Sequence, residues 1–283
     1  MRTIQRKLNL LSSASSVVES FTTITVSLAL CALAWTGVLA QQPPAAPAPP
    51  QTPKAAAPID LTGYWVSVVT EDWRWRMLTP PKGDYTSVPL NPEGRKTADA
   101  WDASKAASNG CKPYGAAAVM RAPGRLHIRW ESDNVLKIVT DAGLQIRRLM
   151  FDSSASSGSS RAQSRDDTTQ KPAADRSWQG FSAAEWDVVG GRGGRGAAPQ
   201  PRDGALKVVT TNMRAGYLRK NGVPYSENAV MTEYFDRHSD FGTEWITVTS
   251  ILEDPQYLTQ PFITSTHFKR EADGGKWSPA PCE

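Results

Sequence analysis

A glutamate in the middle of a strand-like run is the residue best placed to do chemistry. Glu233 lies in the run NAVMTEYFDR, where Met231, Glu233 and Phe235 share one face because strand side chains alternate. A carboxylate on an apolar face must be paired with a cation or have a raised pKa. Glu233 is therefore a candidate for acid/base catalysis or for a buried ion pair that fixes sheet register, and we favour the ion pair. Candidate partners are Arg129, Arg147, Arg148 and Arg214.

The three histidines lack the spacing of a preformed metal site. His127 shares a strand face with Arg129 in the run RLHIRW, while His238 and His267 lie far along the chain. Neither His-x-His nor His-Glu-x-x-His occurs, so a metal site would need His127 and His267 to meet Glu233 across strands. We expect strand histidines that bond to their neighbours, with no metal and no cofactor.

Motifs of nucleophilic and phosphate chemistry are missing. Residues 178–182 (WQGFS) offer half of a Gly-x-Ser-x-Gly turn and lead into no helical pattern. The run GGRGG at 190–194 does not connect a strand to a helix, as a phosphate-binding loop would. The sequence therefore predicts neither a serine hydrolase nor a nucleotide-binding protein.

Tryptophans and arginines form a second group of candidate site residues. Residues 73–76 (WRWR) alternate, and in a strand both rings would share one face, for burial or as a stacking platform for a flat ligand. Residues 213–220 (MRAGYLRK) form a basic, aromatic connector of the kind that rims the mouth of a barrel. The candidate ligand-binding residues are Trp73, Trp75, His127, Arg129, Arg147, Trp178, Trp186, Arg214, Tyr217 and Glu233.

Strand-like runs dominate the part of the chain that must position these residues. Residues 205–269 contain ALKVVTTN, NAVMTEYFDR, WITVTSILE and FITSTHFK, and earlier runs are WVSVVT, AAAVMRA, RLHIRW, NVLKIVTD and LQIRRLMF. Short Gly-, Pro-, Asn- and Asp-containing connections make neighbouring strands antiparallel. We predict a mainly β, barrel-like antiparallel meander of about ten strands. One α-helix is predicted at 91–108, where Asn91 can cap and Pro92 suits the first turn.

The first 40 residues have the pattern of an export signal. Three basic residues precede the apolar run 23–38, and Val38-Leu39-Ala40 fits cleavage before Gln41. The apolar run is short for a membrane-spanning helix, although an uncleaved anchor is the alternative. We predict a signal peptide at 1–40, a Pro/Ala-rich linker at 41–58 and one domain at 59–283, with disordered insertions at 153–176 and 190–204.

Charge and cysteine count agree with an exported protein. The net charge of +4 falls to about +2 without residues 1–40, which is too little to predict nucleic-acid binding. Cys111 and Cys282 are the cysteines left after cleavage, and in an oxidising compartment we expect them to form a disulfide. The expected location is periplasmic or extracellular, with no membrane span once the signal is removed.

The start of the first strand, Gly63-Tyr64-Trp65, resembles the Gly-x-Trp signature of lipocalins. The resemblance implies a tryptophan that closes one end of an eight-stranded barrel. It also implies a basic side chain from the last strand packed on that tryptophan, for which Lys269 and Arg270 are the candidates.

A wider set of motifs resembles a large group of secreted bacterial proteins without an assigned function. The motifs are Leu61-Thr62-Gly63-x-Trp65, Cys111, Trp178-x-Gly180-x-Ser182-x-x-x-Trp186, Leu206-x-Val208-x-Thr210, Gly222-x-Pro224-x-Ser226, Glu233-x-Phe235 and Glu253-Asp254-Pro255. This resemblance implies export and a β-rich fold, and it implies no reaction. The long insertions depart from the commoner members of the group.

These observations lead to one expected function and two alternatives. We expect a small, apolar or aromatic molecule to bind in the barrel interior, where Glu233 and an arginine would orient it. The first alternative is an acid/base enzyme (a hydratase, isomerase or hydrolase) that uses Glu233 with His127 or Arg147. The second is a non-catalytic envelope protein that contacts partners through its insertions.

Overall fold

Nine strands close into a barrel in this computed structural model, which describes residues 51–105, 108, 110–151, 176–188 and 204–282. The strands in chain order are β1 Gly63–Val68, β2 Arg125–Ser132, β3 Val135–Thr140, β4 Ala142–Gly143, β5 Ile146–Phe151, β6 Phe181–Val188, β7 Gly204–Thr211, β8 Gly216–Arg219, β9 Val223–Tyr225, β10 Val230–Asp240, β11 Thr243–Glu253, β12 Phe262–Glu271 and β13 Ala280–Pro281. Around the barrel the order is β1, β12, β11, β10, β7, β6, β5, β3 and β2, which pairs with β1. The predicted barrel-like, mainly β fold is confirmed.

One pair of barrel strands runs parallel. β5 and β6 pair in parallel, with Leu149 opposite Ser182, while the other neighbouring pairs in the barrel are antiparallel. A closed ring with an odd number of strands cannot alternate in direction all the way round, so one parallel pair is required. The chain between β5 and β6 covers residues 152–180, long enough for the crossover that parallel strands need.

The described helices are short: α1 Trp73–Arg76, α2 Pro92–Asp99 and α3 Ala116–Val119. Asn91 caps α2 as predicted, because its Oδ1 accepts a hydrogen bond from the Gly94 backbone N at 2.8 Å. The predicted helix nevertheless ends at Asp99 instead of 108. Asp102 accepts bonds from the Ser104 backbone N and hydroxyl, a local arrangement that competes with helical hydrogen bonding.

Two segments whose sequence patterns are strand-like are helical in the structure. The predicted strand 116–122 contains α3 instead, in line with the high helix propensity of its three alanines. Residues 73–76 form α1, so the two tryptophans do not share one strand face: Trp73 is 63% exposed and Trp75 is half-buried. The insertions predicted at 153–176 and 190–204 lie outside the described residues except for Arg176 and Gly204, and the predicted signal at 1–40 lies outside them entirely.

Side chains fill the barrel interior. Trp65, Phe235 and Phe268 are at most 1% exposed and lie in one apolar core. Its other buried members are Leu61, Val119, Met120, Leu126, Ile128, Leu136, Ile138, Leu149, Phe151, Ala184, Leu206, Val208, Ile246 and Val248. Because the large inward side chains have almost no solvent-accessible surface, the interior is a packed core.

Each end of the barrel is covered by a different part of the chain. At the end we call the helical end, α2, α3 and the β8–β9 hairpin build a second core with Met231, Leu252 and Phe262 from the barrel strands. At the opposite end, which we call the strap end, residues 51–61 lie across the barrel. The Pro53 carbonyl accepts a hydrogen bond from Trp186 Nε1 at 2.8 Å. The described part of the predicted linker, 51–58, therefore packs on the barrel.

A disulfide joins Cys111 to Cys282, as predicted. The two residues are 171 positions apart in the chain, and their Cα atoms are 4.9 Å apart. Next to the bridge β13 pairs in parallel with β4. The bridge thus fastens the C-terminal tail to the helical end, just before α3.

Candidate functional site

Glu233 forms a buried ion pair with Arg147 inside the barrel. Arg147 Nη1 donates to Glu233 Oε1 at 3.0 Å and Nη2 donates to Oε2 at 2.5 Å, and both side chains are fully buried. Nη2 also lies 3.4 Å from Thr210 Oγ1, which bonds to the Ser182 hydroxyl at 2.8 Å. The arginine thus engages both carboxylate oxygens. This is the favoured ion pair of the sequence prediction, with its partner now identified, and it ties β5, β6, β7 and β10 together.

Glu233 and His127, which the enzyme alternative would combine, lie on opposite faces of the barrel wall. His127 stacks on the Tyr64 ring at 4.2 Å and packs edge-on against Trp277, outside the barrel. Desolvation, followed by the charge of Arg129, lowers the pKa of His127. His267 bonds to Thr247 instead of approaching the other two. Within the described ranges, no group of three or more His, Cys, Asp or Glu side chains could hold a metal ion.

The other predicted site residues are scattered over the molecule. Trp186 lies at the strap end against Phe151, with ring centroids 5.3 Å apart. At the other end, the Arg214 guanidinium lies over the Trp178 ring at 5.7 Å, and Lys112 lies over Tyr217 at 5.2 Å. The structure therefore brings together Arg147 with Glu233, Trp178 with Arg214, and His127 with Arg129. It places Trp73, Trp75, Trp186 and Tyr217 apart from these pairs.

Three arginines gather at the helical end beside Trp75, and we call Arg76, Arg121 and Arg219 the arginine cluster. Arg219 is only 5% exposed, and its guanidinium carbon lies 4.7 Å from the centroid of the Trp75 ring. Its Nε, Nη1 and Nη2 atoms have no hydrogen-bond partner in the described part of the chain. Arg121 Nη1 is also buried without a partner among those residues. Buried cations normally have paired donors, so this arrangement needs an explanation.

The other members of the cluster are anchored by carboxylates. Arg76 donates to Glu71 and to the Ser67 hydroxyl, and Arg121 Nη2 donates to Asp72 at 2.6 Å. Asp72 has a left-handed backbone with φ of 51°, a conformation that costs a non-glycine residue about 1 kcal/mol or more. The fold thus holds Arg121 in place through a strained residue.

Asp84 and Asn221 position Arg219 over Trp75. The Asn221 side-chain amide donates to the carbonyls of Pro81 and Asp84, at 3.0 Å each. These two bonds fasten the β8–β9 turn to the loop that contains residues 81–84. The Asp84 carboxylate accepts from Trp75 Nε1 at 3.1 Å. One loop therefore fixes both the hairpin that carries Arg219 and the ring on which it lies.

Burial also affects the titration of Arg219. Desolvation, followed by the charge of Arg121, lowers its pKa to about 10 against the opposing charges of Asp72 and Asp84. The guanidinium therefore remains charged at neutral pH. A planar guanidinium with free nitrogens is a strong, directional receptor for carboxylates and phosphates. Arg219 is thus a buried, charged donor group whose hydrogen-bonding capacity is unused among the described residues.

The sequence pattern pointed to the segment 213–220 as a candidate binding region but not to Arg219 within it. Residues 213–220 were predicted to contact a ligand through Arg214 and Tyr217, whereas Arg214 is exposed and Arg219 is buried. The register of the β8–β9 pair shifts between Tyr217 and Arg219. Such an irregularity re-aims a side chain, so simple alternation could not have identified Arg219.

Comparisons with known proteins give no relative. No protein-family model, curated protein or solved structure matches the chain. Within the described residues, none of the helices is long and apolar enough to cross a membrane.

Proposed function

We propose that this protein is a secreted or periplasmic binding protein that holds a small anionic molecule at the arginine cluster. The observation that carries the proposal is the Arg219 guanidinium, which is buried and charged at neutral pH yet has no hydrogen-bond partner among the described residues. An anion in contact with it would supply the missing acceptors and the missing charge.

This proposal keeps the expected small-molecule binding but moves it from the barrel interior to the helical end. The interior is occupied by buried side chains, and Glu233, which was expected to orient a ligand, is already bound on both oxygens by Arg147. At the helical end, the half-buried ring of Trp75 provides the flat apolar surface that a small organic anion could contact.

Two features support an exported, barrel-based binding protein. A disulfide is typical of oxidising compartments, and this one closes a long stretch of chain. The packing implied by the lipocalin resemblance is also present, since the Arg270 guanidinium lies 5.2 Å from the ring centroid of the buried Trp65. The barrel has nine strands where that resemblance implies eight.

The alternatives have less support. Acid/base catalysis by Glu233 would need a free carboxylate oxygen, and both oxygens accept hydrogen bonds from Arg147. The envelope-interaction hypothesis depends on the insertions at 153–176 and 190–204, nearly all of which lie outside the described residues, and it stays a prediction.

Thermal unfolding with a panel of anions tests the proposal. Acetate, benzoate, hexanoate, phosphate and sulfate would be added at constant ionic strength to the wild-type protein, Arg219→Met and Arg214→Met. Arg214 is the matched control because it is an exposed arginine of the same segment. We expect at least one anion to raise the Tm of the wild type and of Arg214→Met but not of Arg219→Met. Equal responses of all three proteins to every anion would contradict the proposal.

A further inference from the structure

We infer that the exposed segment around α1 binds the surface of an anionic lipid bilayer by placing Trp73, Met77 and Leu78 among the lipid headgroups. We call residues 73–83 the apolar tip. The three apolar side chains are 63%, 57% and 69% exposed, which is unusual for residues of this size. This inference goes beyond the proposed anion site and does not depend on it.

The three apolar residues lie within one short segment. Trp73 and Met77 are four residues apart, and the Met77 backbone N donates to the Trp73 carbonyl at 2.9 Å, as in a turn of helix. Residues four apart lie on the same side of a helix, and Leu78 follows directly. One helical turn therefore presents large apolar groups to solvent together.

The other residues of α1 fasten the apolar tip to the fold. The half-buried Trp75 donates through Nε1 to Asp84, and the buried Arg76 donates through Nε to the Arg121 carbonyl at 2.9 Å. The apolar tip is thus held in place without burial of Trp73. Exposed apolar side chains that adjoin polar residues mark interaction surfaces.

The charges exposed on the apolar tip are positive. The Arg74 side chain is 64% exposed, and Lys82 is exposed as well. The carboxylates of residues 70–84 are those of Glu71, Asp72 and Asp84. Each of them bonds to an arginine, and none is more than 28% exposed. An apolar surface beside exposed cations complements a bilayer that contains anionic headgroups.

A lipid surface fits the apolar tip better than a protein partner does. A standard protein interface uses about 20–30 residues on each side, whereas the apolar tip offers three large apolar side chains and two exposed cations. Tryptophan prefers the boundary between headgroups and acyl chains, and lysine and arginine can extend from that depth towards the phosphates. A fluid lipid layer also admits so small an apolar group without a complementary pocket.

Co-sedimentation with large unilamellar vesicles tests the inference. The vesicles would contain either phosphatidylcholine alone or equal parts of phosphatidylcholine and phosphatidylglycerol. Trp73→Ser would be compared with Phe241→Ser, because Phe241 is an exposed aromatic residue (96%) at the opposite end of the barrel. Lys82→Gln would be compared with Lys54→Gln, a change of an exposed lysine at the strap end. Arg219→Met would be included to separate the apolar tip from the arginine cluster.

We expect the wild type, Phe241→Ser, Lys54→Gln and Arg219→Met to bind the anionic vesicles alike, and to bind phosphatidylcholine alone more weakly. Binding to the anionic vesicles should weaken about tenfold in Trp73→Ser and about fivefold in Lys82→Gln. Equal binding by Trp73→Ser and wild type would overturn the inference. Failure of the wild type to bind either vesicle would also overturn it, in favour of a protein partner.

The arginine cluster is a second place where an anionic headgroup could bind. Weaker vesicle binding by Arg219→Met but not by Trp73→Ser would therefore overturn the assignment to the apolar tip. The anion site itself is tested with soluble anions, so the failure of either proposal can be recognised separately.

Discussion

The guanidinium carbon of Arg219 lies 4.7 Å from the centroid of Trp75, and none of its three nitrogens donates a hydrogen bond within the described ranges. Arg147 is also buried but donates to both carboxylate oxygens of Glu233. Arg147 and Arg219 are thus both buried but in opposite environments. We assign Arg147 to the stability of the barrel and Arg219 to binding.

Replacing Arg219 with methionine should stabilise the unliganded protein. Arg219→Met removes a buried charge that no described acceptor compensates, and this gain should exceed the loss of its contact with Trp75. We expect the free energy of unfolding to rise by about 1 kcal/mol, measured by urea unfolding at pH 7 without added anions. A decrease of similar size would show that the fold already compensates the Arg219 charge.

Replacing Arg147 should have the opposite effect. Arg147→Met leaves the Glu233 carboxylate buried without its cation, which should lower the free energy of unfolding by about 3–5 kcal/mol. The double variant Arg147→Met/Glu233→Leu should recover most of that loss, because it removes both charges. If the double variant were as unstable as Arg147→Met, the unpaired Glu233 charge could not be the cause of the lost stability.

Anion binding should be lost at alkaline pH. The lowered pKa of Arg219, about 10, means that the folded protein loses this proton before the unfolded chain does. Binding needs the charged form, so affinity should be constant between pH 7 and 9 and should fall above about pH 10. By the same linkage, the destabilisation caused by the buried charge is fully present below the folded pKa and shrinks as pH rises from there towards the higher pKa of the unfolded chain.

The stability difference between Arg219→Met and wild type should therefore narrow as pH rises from 9 to 11. Urea unfolding of both proteins across this range measures the difference directly. Because the two proteins share their tyrosines and lysines, other alkaline titrations largely cancel in the comparison. A difference that stays constant up to pH 11 would contradict the assigned titration.

Removing the disulfide should destabilise the fold without altering the barrel core. The variant Cys111→Ser/Cys282→Ser frees a loop of 171 residues, for which chain entropy predicts a loss of up to about 5 kcal/mol, and about 2–4 kcal/mol is typical. The readout is urea unfolding of the variant beside the oxidised wild type. An unchanged midpoint would show that β13 and β4 hold the tail without the bridge.

Much of the barrel could be predicted from the alternation of side chains between the two faces of a strand. Met231, Glu233 and Phe235 were assigned to one face, and all three are buried in the structure. The period of two in a strand makes such assignments robust wherever one face is buried. The helix cap at Asn91 and the disulfide were predictable for similar local reasons, namely capping chemistry and cysteine count.

The candidate site could not be predicted in the same way. Arg219 faces inward because the β8–β9 register shifts beside it, and Trp75 meets it because residues 73–76 form a helix instead of a strand. Both outcomes depend on tertiary contacts, including the bonds from Asn221 to the loop that carries Asp84. Local sequence pattern does not encode such contacts.

Calorimetric titration of hexanoate into wild type, Arg219→Met and Arg214→Met at pH 7 and constant ionic strength tests the central claim most directly. We predict saturable one-to-one binding to wild type and to Arg214→Met, with affinity at least tenfold lower for Arg219→Met. The expected greater stability of Arg219→Met ensures that lost binding would not reflect unfolding. Equal affinity in all three proteins would contradict the assignment of Arg219 as the anion receptor.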